Sequence, residues 1–222
     1  MCGRYGLTTV EAIGGRFGVG AVQLPLEPRY NIAPTQRLPV VVEDEARRVE
    51  EMRWGLEPRW LRERGAGRPL INARDDRLTS APTFREALRE RRCIIPASYF
   101  IEWSGSQGRF KTPYLFRSVD GQLMGLAGLW FEEGGGGRSY VIITTSANKL
   151  VRSYHNRMPV ALARSEEGLW LDPSQSDPAL LTGLLPPYPA VKMEACPMSR
   201  RANSPAEDSA RLLVPEASGA AL

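Results

Sequence analysis

The chain has 222 residues, 29 Lys and Arg against 25 Asp and Glu, a formal charge of +4, and a single histidine. That length predicts one domain with ample chain for a buried core. Its 42% hydrophobic content and five tryptophans exclude a disordered protein.

In chain order, residues 1–7 read as a short strand or extended arm, and Thr8–Phe17 as a helix capped by Thr8 or Thr9 and stopped at Gly18. Residues 25–36, with three prolines, are expected to be mostly loop. Leu38–Glu43 and Val49–Trp54 read as paired strands around a charged turn. Residues 55–72 are irregular. Pro82–Arg92 is the best helix, with Thr83 as its cap, Glu86 three residues on, and Phe84 and Leu88 on one apolar face.

Cys93–Trp103 is an apolar, β-leaning run. Strands are expected at 113–118, 123–131 and 139–145, with Gly134–Gly137 as a hairpin loop. After a looped or helical 146–154, Met158–Ala163 returns to strand. Glu166–Leu171 and Asp177–Leu184 read as short helices and Ala190–Cys196 as a last strand. Beyond Ser204 the composition predicts a loosely held end. Many short strands and few helices predict an α+β domain on a mixed, mostly antiparallel sheet.

Cys2, Cys93 and Cys196 form no CxxC pair, and His155 stands alone. Zinc ribbons, thioredoxin-type motifs and multi-histidine metal sites are therefore excluded, and no metal or cofactor is expected. An odd cysteine count without a signal peptide points to a reducing cytoplasm. No apolar run approaches the roughly 20 residues that cross a bilayer, so no membrane association is expected. Only Lys111, Lys149 and Lys192 are lysines, and the remaining cations are arginines. Arginine suits phosphate recognition, but GC-rich coding explains the bias equally well. The charge permits a nucleic-acid partner without demanding one.

Four positions carry candidate chemistry. Removal of Met1 would leave Cys2 with an α-amine and a thiol, both partly deprotonated near neutrality. A terminal amine can serve as base for its own side chain, and a 1,2-aminothiol can also close a thiazolidine on an aldehyde. Taken alone, a cysteine at position 2 is better explained by chance. His155, in Tyr154-His-Asn-Arg-Met-Pro159, is placed on a loop at a sheet edge. Arg157 beside it would keep the imidazole neutral, whereas a lone histidine is more often structural. Glu102 lies in an aromatic strand, where burial would raise its pKa. If it merely faced water, Phe100 would share that exposed face. Asn72 and Arg74, two apart on an extended segment, point the same way, or form a polar turn. The loops Arg29–Pro34 and Arg53–Pro58 pair cations with aromatics, as single-strand binders do, or are proline-stiffened core connections.

Seven blocks in order carry a resemblance: Met-Cys-Gly-Arg-Tyr, Arg-Tyr-Asn-Ile-Ala-Pro, Arg-Trp-Gly-Leu-x-Pro-x-Trp, Ile-Asn-Ala-Arg, Arg-Cys-Ile-Ile-Pro-Ala, Phe-Ile-Glu-Trp and His-Asn-Arg-Met-Pro. Together they resemble the SRAP family (SOS-response-associated peptidase domain) from Met1 to about Val214. The resemblance implies a β-barrel-like α+β core with short flanking helices, a single domain over 1–215 and a flexible tail at 216–222. It implies that Cys2, once Met1 is removed, cross-links to abasic sites in single-stranded DNA through a thiazolidine. Asn72, Glu102 and His155 match the family's catalytic asparagine, glutamate and histidine. Arg4 and Arg74 match phosphate-contacting positions, and Asn31, Pro34, Trp54 and Arg157 are further expected DNA contacts.

The departures are modest. Asn156 replaces the family's usual aspartate, Ser98-Tyr-Phe-Ile its Asp-Gly-Phe block, and Asp76 its glutamate. The closing segment survives only as Met198-Ser199 and Asn203. Competing readings are an N-terminal-cysteine amidohydrolase or self-processing peptidase, and a non-covalent single-strand binder. No dimer seam or partner motif is visible, so a monomer in the cytoplasm, associated with a bacterial nucleoid, is expected.

Overall fold

A run of apolar residues from Cys93 to Trp103 looks like one strand, yet it divides at Ser98 and feeds two different sheets. The computed structural model describes residues 2–58, 67–105 and 111–215. Its strands, in chain order, are β1 (Tyr5–Leu7), β2 (Arg29–Ile32), β3 (Arg37–Glu43), β4 (Arg47–Trp54), β5 (Asn72–Arg74) and β6 (Arg92–Ala97). They continue with β7 (Tyr99–Ser104), β8 (Thr112–Ser118), β9 (Met124–Glu132), β10 (Arg138–Ser146), β11 (Arg157–Pro159) and β12 (Met193–Pro197). One sheet has the order β12-β8-β7-β1-β2 and is antiparallel throughout.

The second sheet runs β11-β10-β4-β3-β6-β9, with β5 beside β10. A further β9–β10 pairing returns the path to β10, so these strands form a ring. Among the described residues only the β10–β4 and β10–β5 pairings are parallel. The α+β, mostly antiparallel class is as expected, and the ring is what the barrel-like expectation corresponds to. The ring strands β3 and β6 are covered on both faces: in β3 Leu38–Val42 are all buried, and β6 is buried along its length. Such continuous Val/Ile runs suit strands covered on both sides.

The helices are short: α1 (Ile13–Phe17), α2 (Pro82–Glu90), α3 (Arg164–Leu171) and α4 (Pro178–Gly183). Two expected caps fail. Val10–Ala12 is a 3₁₀ turn ahead of α1, and the Thr8 hydroxyl donates to Ser98 Oγ instead of capping. Gly18 does end α1, at φ 63°, where a missing Cβ removes the left-handed penalty. Ala81, not Thr83, stands at the start of α2, with Pro82 in its first turn where no amide donor is needed.

Two loop expectations are also corrected. Within the proline-rich 25–36 the strand β2 forms, because the Asp208 carboxylate accepts the backbone N–H groups of Tyr30 and Asn31. The same contact overturns the loosely held end after Ser204. Leu212 is fully buried, and Asn31 Nδ2 donates to the carbonyls of Ala202, Ser204 and Glu207. The segment 199–213 is thus a strap over Arg4, β2 and β7, while 216–222, expected as a tail, lies outside the described residues.

Candidate active site

The site is built where the first sheet meets β5 and the loop before β11. β1 is pinned to β7 in the register Tyr5↔Phe100, and the Ile101 amide donates to the Arg4 carbonyl at 3.0 Å. Gly6 lets this happen, since a Cβ there would lie 2.2 Å from the Tyr99 ring. Cys2, just ahead of β1, is fully buried.

Asn72 reaches Cys2 from another sheet. β5 pairs with β10, Asn72 opposite Ile142 and the buried Ala73 opposite Ile143, so the Asn72 side chain turns away from that core. Its Nδ2 donates to the Cys2 carbonyl at 2.9 Å. Its Oδ1 is buried and accepts no hydrogen bond among the described residues. A buried amide oxygen without a donor costs about 1–3 kcal/mol and is available to a ligand N–H or O–H.

Glu102 lies on β7, only 5% exposed, with Phe100 buried on the same strand. The reading of Glu102 as a water-facing residue is therefore excluded. Burial pushes its carboxyl above the usual range, and the charges of His155 and Lys111 pull it back. Burial, and then the Glu102 charge, raise the Cys2 thiol. Glu102 is thus coupled electrostatically to both Cys2 and His155.

His155 follows a 3₁₀ turn, Val151–Ser153, and its amide donates to the Val151 carbonyl at 3.0 Å. Its Nδ1 lies 3.0 Å from both the backbone N and O of Arg157. An Nδ1 that accepts from that amide leaves the ring proton of the neutral form on Nε2.

The expected DNA contacts divide. Arg74 is exposed and pairs with Asp76 at 2.6 Å. Arg4 is half-buried: Nη1 donates to Asn31 Oδ1 at 2.9 Å and the Ala202 carbonyl at 3.1 Å, and its guanidinium sits 6.0 Å over the Trp103 ring. Pro34 is half-buried before Thr35, whose φ is 76°. Three expectations are corrected. Trp54 is fully buried, stacks on Tyr140, and donates Nε1 to the Ile71 carbonyl, so no base can stack on it. Asn31 is fully buried and its amide is used by Arg4 and the strap. The Arg157 guanidinium binds Asp75 at 2.8 Å, its side chain only 12% exposed, so it is not free to hold a phosphate.

Sequence reasoning missed Asp75, which holds Arg157 and also accepts from Thr145 Oγ1 at 2.6 Å. It missed the buried Tyr5–Tyr140 hydroxyl pair, 2.8 Å apart, next to Cys2. Only Asp75 had a local signal, its place directly after Asn-Ala-Arg.

Among the described residues no group of His, Cys, Asp and Glu could hold a metal ion, and no helix is long and apolar enough to cross a membrane. A cavity of about 870 Å³ opens elsewhere, between Arg16, Met124, Arg164 and Tyr188.

The fold and site define an α+β protein whose second residue is bound by an asparagine and feels a buried glutamate, itself coupled to the only histidine. The family description SOS response associated peptidase (SRAP) matches residues 1–205. The chain belongs to this family. It is 37% identical to the abasic site processing protein YoaM of Bacillus subtilis, over 96% of this chain and 97% of that one. It is 28% identical to the abasic site processing protein YedK of Escherichia coli, over 67% of this chain and 68% of that one. A crystal structure of a protein from Bacteroides thetaiotaomicron superposes with a TM-score of 0.81 at 25% identity, covering 97% of this chain and all of that one.

Proposed function

We propose that this protein processes abasic sites in single-stranded DNA by forming a covalent cross-link through Cys2. The observation that carries the reading is the 2.9 Å bond from Asn72 Nδ2 to the Cys2 carbonyl. It ties residue 2 to a cluster of reactive side chains instead of leaving it at a frayed terminus. The relatives named for abasic site processing support it.

Once Met1 is cleaved, the Cys2 α-amine attacks the aldehyde carbon of the ring-opened deoxyribose. Water leaves and an imine forms. The Cys2 thiol then adds to the imine carbon, its proton passes to nitrogen, and a thiazolidine closes, so the net product beside the adduct is one water. Glu102, whose carboxyl burial pushes above its usual range, gives a proton to the departing hydroxyl and takes one back from the nitrogen as the imine forms. His155 serves the sugar oxygen as a second acid or base during ring opening. Asn72 orients the Cys2 backbone and offers Oδ1 to the attacking amine. Arg4 and Arg74 hold phosphates beside the lesion. The product has neither an aldehyde nor a strand-breaking imine, which is the shielding. Residues 1–215 act as one domain and as a monomer inside the cell. The peptidase chemistry of the family description is confined to self-removal of Met1.

Three measurements test this. Intact mass of the purified protein must lack Met1. Cys2→Ala must abolish the heat-stable adduct to an abasic oligonucleotide, a loss in rate of at least about 1,000-fold for a missing nucleophile, while still binding the strand. An unaffected adduct would sink the covalent reading. One extra residue before Cys2 keeps the thiol but displaces the amine. If the stable adduct still forms, the thiazolidine chemistry is wrong.

A further inference from the structure

A second cavity, about 460 Å³, opens beside the loop that follows β10 and is lined by Ala147, Asn148, Lys149, Arg152, Ser153 and Pro187. None of these is acidic. Lys149 and Arg152 are exposed, and among the described residues neither joins an ion pair. The contrast is with Arg16, Arg29, Arg47, Arg53, Arg138 and Arg157, each bound to a carboxylate. Arg152 donates only Nη2 to the Ala147 carbonyl, at 3.3 Å. The rest of its planar fork has no protein acceptor among the described residues.

The cavity is built on a stiff turn. Asn148 Oδ1 accepts the Val151 amide at 2.9 Å, and its Nδ2 donates to the Tyr188 carbonyl at 2.7 Å. The Arg152 amide donates to the Asn148 carbonyl, and the His155 amide to the Val151 carbonyl, each at 3.0 Å. The Ala147 amide donates to the Asn156 carbonyl, also at 3.0 Å. The backbone that carries the two cations is therefore fixed in position relative to His155.

We propose that this cavity is a phosphate subsite, in which Lys149 and Arg152 take one or two backbone phosphodiesters of the strand that passes His155. The inference rests on the Cys2 reading and extends it by a specific track for the strand. A guanidinium fork and an ammonium around a pocket without carboxylates match one phosphodiester, or two adjacent ones, in charge and donor geometry. The contact fixes register and contributes affinity without reading sequence.

The test compares wild type, Lys149→Gln/Arg152→Gln and, as a control for lost charge, Arg89→Gln on the exposed side of α2. The readouts are the salt dependence of binding to an undamaged single strand and the rate of adduct formation on an abasic strand at subsaturating protein. Each lost phosphate contact lowers the log–log salt slope by about 0.7. The double variant is expected to lose about 0.7–1.4 in slope and about tenfold in adduct rate, with the control unchanged. Neutral methylphosphonate linkages scanned along the strand are expected to erase the difference between wild type and double variant at one or two positions. A double variant with wild-type slope and rate overturns the subsite, as does a difference that no linkage position erases. A wild-type protein that forms no adduct overturns the Cys2 reading instead, and the salt slopes still decide the cavity.

Discussion

Two clusters of buried charge stand in this molecule and are finished differently. In one, Arg16 makes a two-pronged bond to Glu167, at 2.7 and 2.6 Å, with Nε on the Leu123 carbonyl. Similar in kind, Arg92 has no carboxylate in bonding range among the described residues. It donates instead to the carbonyls of Leu88, Arg89, Trp170 and Asp172, closing the ends of α2 and α3. Cations suit helix C-termini for this reason. In the other cluster Asn72 Oδ1 is left without a donor, and the Glu102 carboxyl and Cys2 thiol are both pushed up by burial. The first cluster is saturated and acts as a staple, whereas the second keeps an open acceptor at Asn72 Oδ1.

The comparison can be broken at the staple first. Glu167→Ala leaves a buried guanidinium unpaired, and removal of one partner of such a pair costs about 3–5 kcal/mol. In a chain of this size that lowers Tm by roughly 10 °C, read by calorimetry; a shift below about 2 °C would mean the pair is idle. At the second cluster, Glu102→Gln should slow the proposed adduct formation by about 100-fold, the scale of one general acid–base group. Its effect on stability has the other sign. A carboxyl raised by folding keeps its proton longer in the native state, so stability falls as pH rises from about 4.3 through the higher folded value. Gln removes that loss, and denaturant titrations at about pH 4 and 8 should show a flatter profile for the variant. The smallest effect belongs to the surface. Glu51→Gln breaks the pair with Arg37, whose side chains are 52% and 45% exposed, and should change stability by less than about 0.5 kcal/mol.

Much of this was legible from the sequence because it is written in adjacent residues. The Val/Ile run of β3, the glycine run between β9 and β10, and the turn residue Gly18 each state their structure locally. Cys2, Asn72, Glu102 and His155 sit in short blocks whose order alone marks them. What stayed hidden depends on partners far along the chain. β2 forms inside a proline-rich segment because of Asp208. Trp54 and Asn31 looked like exposed recognition residues, since nothing next to them says that Tyr140 or the strap will cover them. Arg157 adjoins His155 in sequence, but its guanidinium finds Asp75 just beyond β5. The break at Ser98 is invisible to hydropathy because both halves are equally apolar.

The strap has a consequence in time as well as in space. Arg4 is held by the Ala202 carbonyl, 198 residues away in sequence, and β2 by Asp208. A ribosome delivers Arg4 198 residues before the Ala202 carbonyl that clamps it. Until those residues emerge, the wall beside Arg4 does not yet exist. Any processing of the segment that carries Cys2 therefore has a window before the strap closes over it.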